Sequence, residues 1–157
     1  MFAIGDKIVY PMHGAGIIEE IEEKKILGET RRYYILKIPC GDMKIMIPVD
    51  SCEGIGVRAI ISDEKLTQVM STLHGKSSEM SANWNRRYRE NMDKLKTGDV
   101  LKVAEVVRNL MRTDREKKLS AGEKKMLTNA KQILSSEIIL IKGIDIKEAN
   151  KIIDMVV

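Results

Sequence analysis

Aromatic residues are scarce in this sequence, where they make up 4% of 157 residues and include one Trp, one Phe and four Tyr. A hydrophobic core must therefore be built from Ile, Val, Leu and the ten Met residues. No apolar run approaches the ~20 residues that a membrane-spanning helix requires, and the first residues do not resemble a signal peptide. We therefore expect a soluble, cytoplasmic protein without a membrane partner.

Cysteine and histidine are equally rare. Cys40 and Cys52 lack CxxC spacing, and we expect both to be buried, reduced thiols. A zinc site formed by these residues with His13 and His74 would lack the usual ligand spacing. HExxH, GxSxG, Walker A and dinucleotide-binding motifs are absent from the sequence. We expect no metal, no cofactor, no small-molecule substrate and no enzymatic activity.

Charge is unevenly divided between the two halves of the chain. Residues 1–75 carry 9 Lys/Arg and 11 Asp/Glu, whereas residues 76–157 carry 18 Lys/Arg and 12 Asp/Glu. A basic surface favours a polyanionic partner, because each neutralised phosphate releases condensed counterions. The two halves are therefore expected to have different partners.

The first half has the pattern of short strands with tight turns. Apolar and β-branched runs alternate with turns at Leu27-Gly28-Glu29 and Cys40-Gly41-Asp42. Five strands in about 55 residues predict a small SH3-like or Tudor-like β-barrel in residues 1–60. The predicted strands are Lys7–Tyr10, Gly16–Lys25, Arg31–Ile38, Met43–Val49 and a short one near Gly56-Val57-Arg58.

After Ile61 the apolar period becomes helical. A helix opened by Ser62 is expected to connect the halves over residues 61–75, and the polar stretch Gly75–Ser78 is the expected linker. Residues 80–157 then predict an all-α bundle, so the fold class is α+β in two domains. Four helices are expected in this bundle. The first extends from about Ser81 to Leu95 and the second begins at Val100. The third follows the capping-box sequence Ser120-Ala121-Gly122-Glu123, and the last begins at Asp145.

The most unusual segment is Asn83-Trp84-Asn85-Arg86-Arg87-Tyr88-Arg89, which places the sole Trp beside three arginines at the start of a predicted helix. Arg contacts phosphates, and a rigid aromatic ring can stack on a base or wedge between base pairs. The alternative is a Trp in the bundle core with arginines on a solvated face. The segment alone leaves both interpretations open.

Two further surfaces could carry binding. Basic residues recur on the predicted helices of the second half. Such a run is usually a solvated helix face. Two basic clusters in the same half as the Trp nevertheless favour binding to nucleic acid. They are Arg108, Arg112, Arg115, Lys117 and Lys118, continued by Lys124, Lys125 and Lys131. In the first half, Lys24–Leu27 and Ile45-Met46-Ile47 could form a free strand edge to which a partner strand adds by β-augmentation. The alternative is that they belong to an ordinary barrel core with a solvated hairpin.

Several segments together resemble the CarD/CdnL family of bacterial transcription regulators, nearly end to end and in the same order. The first segment also resembles the polymerase-interacting module of transcription-repair coupling factors. The segments are Gly5-Asp6-Lys7-Ile8-Val9-Tyr10-Pro11-Met12-His13-Gly14-Ala15-Gly16, Asn83-Trp84-Asn85-Arg86-Arg87-Tyr88-Arg89, Leu95-Lys96-Thr97-Gly98-Asp99, Val103-Ala104-Glu105-Val106-Val107-Arg108 and Leu119-Ser120-Ala121-Gly122-Glu123-Lys124.

The resemblance implies a first domain that binds the β subunit of RNA polymerase and a helical domain that contacts promoter DNA. Trp84 would act as a minor-groove wedge, with Arg86, Arg89 and, third, Arg87 on phosphates; Lys124 and Lys125 complete the expected DNA-binding set. The polymerase-facing residues would be Lys24, Lys25, Ile26, Lys44, Ile45 and Met46. Some relatives carry an arginine at the position of Met46, so a charge contact expected there is missing.

The expected function is stabilisation of the open promoter complex at the upstream edge of the transcription bubble, largely without sequence specificity. Such a protein would work as a monomer and associate with the nucleoid through RNA polymerase. Two alternatives remain: an RNA-binding or ribosome-associated barrel protein, and a purely protein-binding adaptor whose helical half does not bind DNA. Strong salt dependence of DNA binding would argue against the adaptor.

Overall fold

A computed structural model describes residues 1–39 and 43–157 of the chain, so the expected turn Cys40-Gly41-Asp42 lies outside the described residues. The first half forms an antiparallel sheet of five strands in the order β4-β3-β2-β1-β5. The strands are β1 Lys7–Tyr10, β2 Gly14–Ile26, β3 Glu29–Ile38, β4 Met43–Pro48 and β5 Arg58–Ala59.

The predicted strands agree closely with β1 to β4. The β2–β3 turn consists of Leu27 and Gly28, with φ angles of 51° and 80°, as a type I′ turn requires. Within the described ranges β4 and β5 are the two edges of the sheet. Closure into an SH3-like or Tudor-like barrel therefore stays a prediction.

The region between β4 and β5 contains helical structure that the sequence pattern did not predict. A 3₁₀ turn, Val49–Ser51, leads into the short helix α1, Cys52–Ile55, which ends at Gly56 with φ of 90°. The fifth strand therefore begins at Arg58, later than predicted. The Cys52 thiol is buried, as expected, and this burial raises its pKa.

The second half contains five helices in the described chain: α2 Asp63–His74, α3 Trp84–Lys96, α4 Val100–Glu116, α5 Ala121–Lys142 and α6 Ile146–Val156. Each begins after a polar residue whose side chain accepts a hydrogen bond from a backbone amide of the first turn, which stabilises the helix start. The caps are Ser62, Asn83, Asp99, Ser120 and Asp145. Because Asn83 is the cap, α3 begins at Trp84 and not near Ser81.

The helical half has one hydrophobic core, to which α2, α3, α4, α5 and α6 all contribute. The apolar residues of α4 that contribute to this core are all buried: Val100, Val103, Ala104, Val106, Val107, Leu110 and Met111. Since Leu66, Val69 and Leu73 of α2 belong to this same core, α2 is packed on the bundle. The segment Gly75–Ser78, expected to be a linker, is here the connection between α2 and α3.

The strands have a second, smaller core that contains Ile8, Ile18, Tyr34, Leu36 and Ile47. The long helix α5 packs against β2, and its residue Ile139 contacts both cores. The two halves are therefore joined along α5.

Two negative findings apply to the part of the chain that the structure describes. None of its helices combines the length and the apolar character needed to cross a lipid bilayer. Three or more His, Cys, Asp or Glu side chains do not gather anywhere in residues 1–39 and 43–157 in a way that could hold a metal ion.

Candidate functional site

Trp84 is the first residue of α3, and 41% of its surface is exposed. The residue is absent from the buried core of the helical half. Its indole ring stacks on Tyr88 one turn later, with ring centroids 5.1 Å apart and planes inclined by 18°. A large aromatic surface therefore stands at the surface of the protein in one defined orientation, which excludes the core-residue interpretation of Trp84.

The start of α5 also contacts the indole. The indole N–H donates to Ser120 Oγ over 2.9 Å, and Ser120 is also the cap of α5. Gly122 lies directly against the ring, since a Cβ atom at this position would be 3.2 Å from Trp84 Cζ2. The N-terminal ends of α3 and α5 thus meet at Trp84, and amides at helix N-termini favour negatively charged ligands.

Arg87 and Glu123 form an ion pair beneath Trp84. The guanidinium donates to both carboxylate oxygens, from Nε over 3.0 Å and from Nη2 over 2.9 Å, while Nη1 donates to the carbonyls of Ser81 and Ala82. Hydrogen bonding to Arg87 holds the pKa of Glu123 below its ordinary value, and the same bonds raise the pKa of Arg87. Glu123 also accepts a hydrogen bond from Ser120 Oγ, so the pair supports the group that binds the indole.

Four other residues of the expected DNA-binding set are exposed around Trp84. Arg86 forms an ion pair with Glu90, one turn later on α3, at 3.0 Å and remains 70% exposed. The side chain of Arg89 makes no hydrogen bond or ion pair with residues 1–39 or 43–157. Lys124 and Lys125 are exposed in the first turn of α5. Arg87 differs from these four, because its guanidinium points inward to Glu123.

A groove of about 600 Å³ opens beside the indole. One wall is formed by residues 80–84 and the other by the end of α4 and the start of α5. Lys117 and Lys118, which are exposed, line this groove together with Trp84 and Ser120. The cationic surface therefore continues from α3 past the indole to the α4–α5 connection.

The remaining members of the second basic cluster have other roles. Arg108 is buried, donates to the carbonyl of Thr72 and to Ser78 Oγ, and has its pKa lowered by burial. Arg112 donates to the carbonyls of Leu73, His74 and Gly75. These two arginines of α4 therefore form hydrogen bonds with the end of α2 and with the α2–α3 connection. Lys131 forms an ion pair with Asp154 of α6, and Arg115 donates to the Asp154 carbonyl.

The expected polymerase-facing residues lie on two strands: Lys24, Lys25 and Ile26 at the end of β2, and Lys44, Ile45 and Met46 along β4. Met46 is 40% exposed on the edge strand β4, and Lys24 donates to its sulfur over 3.6 Å. Lys25 and Ile26 are exposed near the β2–β3 turn, and Lys44 pairs with Glu19 at 3.3 Å. Ile45 points to the other face, where it packs against the strand core. Lys24, Lys44 and Met46 are thus available to a partner, whereas Ile45 is partly buried.

Comparison with known proteins gives two adjoining family matches. Residues 2–61 match the model described as CarD-like/TRCF RID domain, and residues 68–154 match the model described as CarD, C-terminal domain. A Bacillus subtilis (strain 168) protein named "Putative transcription factor YdeB" is 47% identical over 148 residues, which cover 94% of this chain and 97% of that protein. The chain belongs to the CarD family.

The CarD family comprises transcription factors and is not a known class of enzyme. The first half of this CarD-family protein has the RID domain, which is a type of domain that interacts with RNA polymerase. The boundary between the two family matches falls between residues 61 and 68, at the start of α2.

Sequence reasoning did not identify the residues that support Trp84 in this CarD-family protein. Tyr88 stacks on the ring, Ser120 binds its N–H, Gly122 gives it room, and Glu123 fixes Arg87. The only available signal was the capping-box spacing of Ser120 and Glu123. The first half of that pattern is confirmed, because Ser120 Oγ accepts from the Glu123 amide, but the Glu123 carboxylate binds Arg87.

Proposed function

We propose that this CarD-family protein binds the β subunit of RNA polymerase through its sheet and promoter DNA through the Trp84 surface, and that it thereby stabilises the open promoter complex. The observation that carries the proposal is a half-exposed Trp84, held by Tyr88 and Ser120 and surrounded by exposed cations. The expected DNA site is the upstream edge of the transcription bubble. The protein would act there as a monomer.

A fixed indole suits a minor-groove wedge. Apolar side chains that enter the minor groove partly unstack a base step at a cost of about a few kcal/mol, and less where pairing is already disturbed. The indole N–H is already bonded to Ser120, so the ring can enter an apolar base stack without an unsatisfied donor. Stacking on Tyr88 restricts the ring before DNA arrives, which lowers the entropy cost of insertion.

The surrounding cations supply the affinity for the phosphate backbone. Arg86, Arg89, Lys124 and Lys125 are exposed on two helix starts that converge on Trp84. Contacts of this kind position a protein on DNA without reading its sequence. We assign Arg87 a supporting role in place of a phosphate contact, because its donors bind Glu123 and two backbone carbonyls.

The polymerase contact is proposed for β4 and the end of β2. An edge strand exposes unpaired backbone groups to which a partner strand can add, and β4 is an edge within the described chain. Met46 is exposed on β4, and Lys24 of β2 donates to its sulfur. Attachment to polymerase would hold the Trp84 surface near promoter DNA at an effective concentration that can approach mM, so weak intrinsic DNA affinity would suffice.

Stabilisation of the open complex requires that the protein bind this state more tightly than the closed state. Trp84 inserts at lower cost where the bubble edge has already disturbed base stacking. A difference of about 1.4 kcal/mol between the two states would shift the equilibrium tenfold.

The test is the half-life of polymerase–promoter open complexes with wild-type protein, with Trp84→Ala, with Trp84→Phe and without added protein. We expect wild type to lengthen the half-life, Trp84→Ala to abolish the effect and Trp84→Phe to retain part of it. Met155→Ala is the matched control, since it removes another large exposed side chain from the same half. Circular dichroism verifies that each variant is folded.

Other results would support a different function. If wild type bound polymerase without changing the half-life, the chain would be a protein-binding adaptor. If it bound RNA but not polymerase, the RNA-binding alternative would replace the proposal. A half-life extended equally by Trp84→Ala would remove the wedge from the mechanism.

A further inference from the structure

The two halves are joined by an ion pair between β5 and α5. Arg58 donates to both carboxylate oxygens of Glu137, from Nη1 and Nη2, each over 2.9 Å. The Glu137 side chain is 3% exposed, and its Oε2 also accepts from the amide of Ile61 over 2.9 Å. Arg58 Nε donates to the carbonyl of Gly98. One arginine of the sheet thus binds two separate points of the helical half.

A second set of contacts lies one residue away on α5. Ser136 is fully buried, and its Oγ accepts from the amide of Ala15 over 2.8 Å while it donates to the carbonyl of Ile133. Gly14, with φ of 109°, lies so close that a Cβ atom would be 2.6 Å from Ser136 Oγ. The start of β2 is therefore seated directly on α5.

The loop before β2 completes the joint. Met12 packs against the core of the helical half, and Pro11 is buried against Gly98, where a Cβ atom would be 3.3 Å from Pro11 Cγ. The space left between these residues, Arg58 and Glu137 is about 10 Å³, which is no larger than a single water needs. Such a closely packed, hydrogen-bonded joint resists rotation of one half against the other.

The position of this joint on α5 connects it to the DNA-facing surface. Ser120 and Glu123 at the start of α5 support Trp84, and Ser136 and Glu137 hold the sheet further along the same helix. At 1.5 Å per residue, Glu123 and Glu137 are separated by about 21 Å along the axis. An unbroken helix thus sets the spacing between the sheet and the Trp84 surface.

We propose that Arg58 and Glu137 are positioning residues that hold the polymerase-facing sheet and the DNA-facing Trp84 surface at one fixed relative placement. The inference rests on the proposed function for its consequence, because a wedge tethered to polymerase is useful only where it meets the bubble edge. Misplacement would lower the effective concentration of Trp84 at that step without changing either contact surface.

The first experiment measures the placement itself and does not depend on the proposed function. Spin labels at Leu27→Cys and Lys125→Cys, in a background with Cys40→Ser and Cys52→Ser, report the distance between the β2–β3 turn and the start of α5. We expect one narrow distance distribution for the background and a clearly broader one for Glu137→Gln and Arg58→Met. An unchanged distribution in both variants would overturn the inference.

The second experiment compares open-complex half-life with the two separate affinities. In Arg58→Met we expect polymerase affinity and DNA affinity to stay within about twofold of wild type, while the half-life extension falls several-fold. Arg58→Lys keeps the charge and one hydrogen bond, so it should give an intermediate extension. Equal half-lives in all three proteins, with a broadened distance in Arg58→Met, would overturn the positioning role.

Controls separate positioning from general instability and from failure of the proposed function. Asp154→Asn removes a more exposed ion pair to Lys131 that lies inside the helical half, and it should change neither the distance distribution nor the half-life. If Glu137→Gln does not fold, the graded pair Arg58→Lys and Arg58→Met decides the question. If wild type itself gives no half-life extension, the proposed function fails and the distance measurement alone decides whether Arg58 and Glu137 fix the placement.

Discussion

Gly122 lies so close to the indole of Trp84 that a Cβ atom on this glycine would be 3.2 Å from Cζ2 and 3.7 Å from Cη2 of the ring. Gly122 is inside the first turn of α5, where the backbone does not require glycine. The absence of a side chain at Gly122 therefore leaves space for the indole of Trp84. Glycine at this position lets Trp84 lie against the start of α5 without displacement while its N–H donates to Ser120.

The first prediction is that Gly122→Ala separates stability from function. Alanine favours a helix over glycine by up to about 1 kcal/mol, so the free energy of unfolding should stay unchanged or increase. The added methyl group should displace the indole by a few tenths of an ångström, and the half-life extension of the open complex should fall several-fold. Denaturant unfolding and the emission spectrum of the single Trp measure the two effects.

The matched control for this prediction is Gly54→Ala in α1. A Cβ atom at Gly54 would meet no atom within 4 Å. This variant should leave Trp emission and open-complex half-life unchanged. Identical behaviour of the two alanine variants would show that the space at Gly122 is irrelevant to Trp84.

The helix starts illustrate what the sequence alone could predict. Polar caps such as Ser120 and Asp145 satisfy amides two or three residues later, so a local pattern was enough to locate them. The start of α3 was predicted less well, because the sequence pattern placed it near Ser81, whereas Asn83 caps a helix that begins at Trp84. The partners of the Trp84 ring could not be predicted, because Ser120 lies 36 residues away and depends on how α5 packs on α3.

The second prediction concerns the salt dependence of DNA binding. Arg89→Gln should lower the slope of log K against log salt by about 1, because one phosphate contact is lost. Binding should weaken to a similar extent on different DNA sequences. Lys147→Gln on α6 removes an exposed charge elsewhere and is the control. Equal slopes for Arg89→Gln and wild type would exclude a phosphate contact for Arg89.

The third prediction is that substitution of Arg112 changes the stability of the protein and not the salt dependence of DNA binding. Arg112→Gln should lower the free energy of unfolding by about 1–3 kcal/mol, because three backbone carbonyls at the C-terminal end of α2 lose their donor. The salt slope of DNA binding should stay as in wild type. Chemical denaturation and DNA titration on the same preparation test both parts; a lower slope with unchanged stability would instead place Arg112 on DNA.

Arg89 and Arg112 show why the sequence alone could not separate exposed arginines from arginines that bind the protein's own backbone. Arg89 and Arg112 belong to equally basic stretches, and local charge does not distinguish them. The difference arises from packing, because α4 places Arg112 beside the end of α2, where carbonyls lack helical partners. Similarly, the inward orientation of Arg87 depends on Glu123, which only the folded bundle brings within reach.

The fourth prediction uses the two faces of β4. Met46→Asp should weaken polymerase binding with little change in stability, because Met46 is exposed on the outer face. Ile45→Ala should lower the free energy of unfolding by about 2 kcal/mol, because Ile45 packs against the strand core. Polymerase pull-down and denaturation measure both variants. Unaltered polymerase binding by Met46→Asp would move the contact away from β4.

The fifth prediction is a pH dependence that arises from Glu123. Hydrogen bonds from Arg87 hold the pKa of Glu123 below its ordinary value, although burial alone would raise it. In the acidic range the unfolded chain therefore binds more protons at this residue than the folded protein does. The stabilisation is complete above the unfolded pKa of Glu123 and is lost as pH falls through the lower, folded value. Stability of the wild type should decrease on acidification below about pH 5.

Glu123→Gln removes this titration and isolates it from other carboxylates. At pH 7 the variant should be less stable than wild type by about 3 kcal/mol, because Arg87 loses its partner in a largely buried pair. The difference should shrink as pH falls, since protonated Glu123 and glutamine are then both uncharged. Urea midpoints from pH 3 to 7 measure it, with Glu148→Gln, an exposed glutamate on α6, as the control. A stability difference that is the same at every pH would show that the Arg87–Glu123 charge pair does not hold the start of α5 against α3, and the support proposed for Trp84 would then have to come from Ser120 and Tyr88 alone.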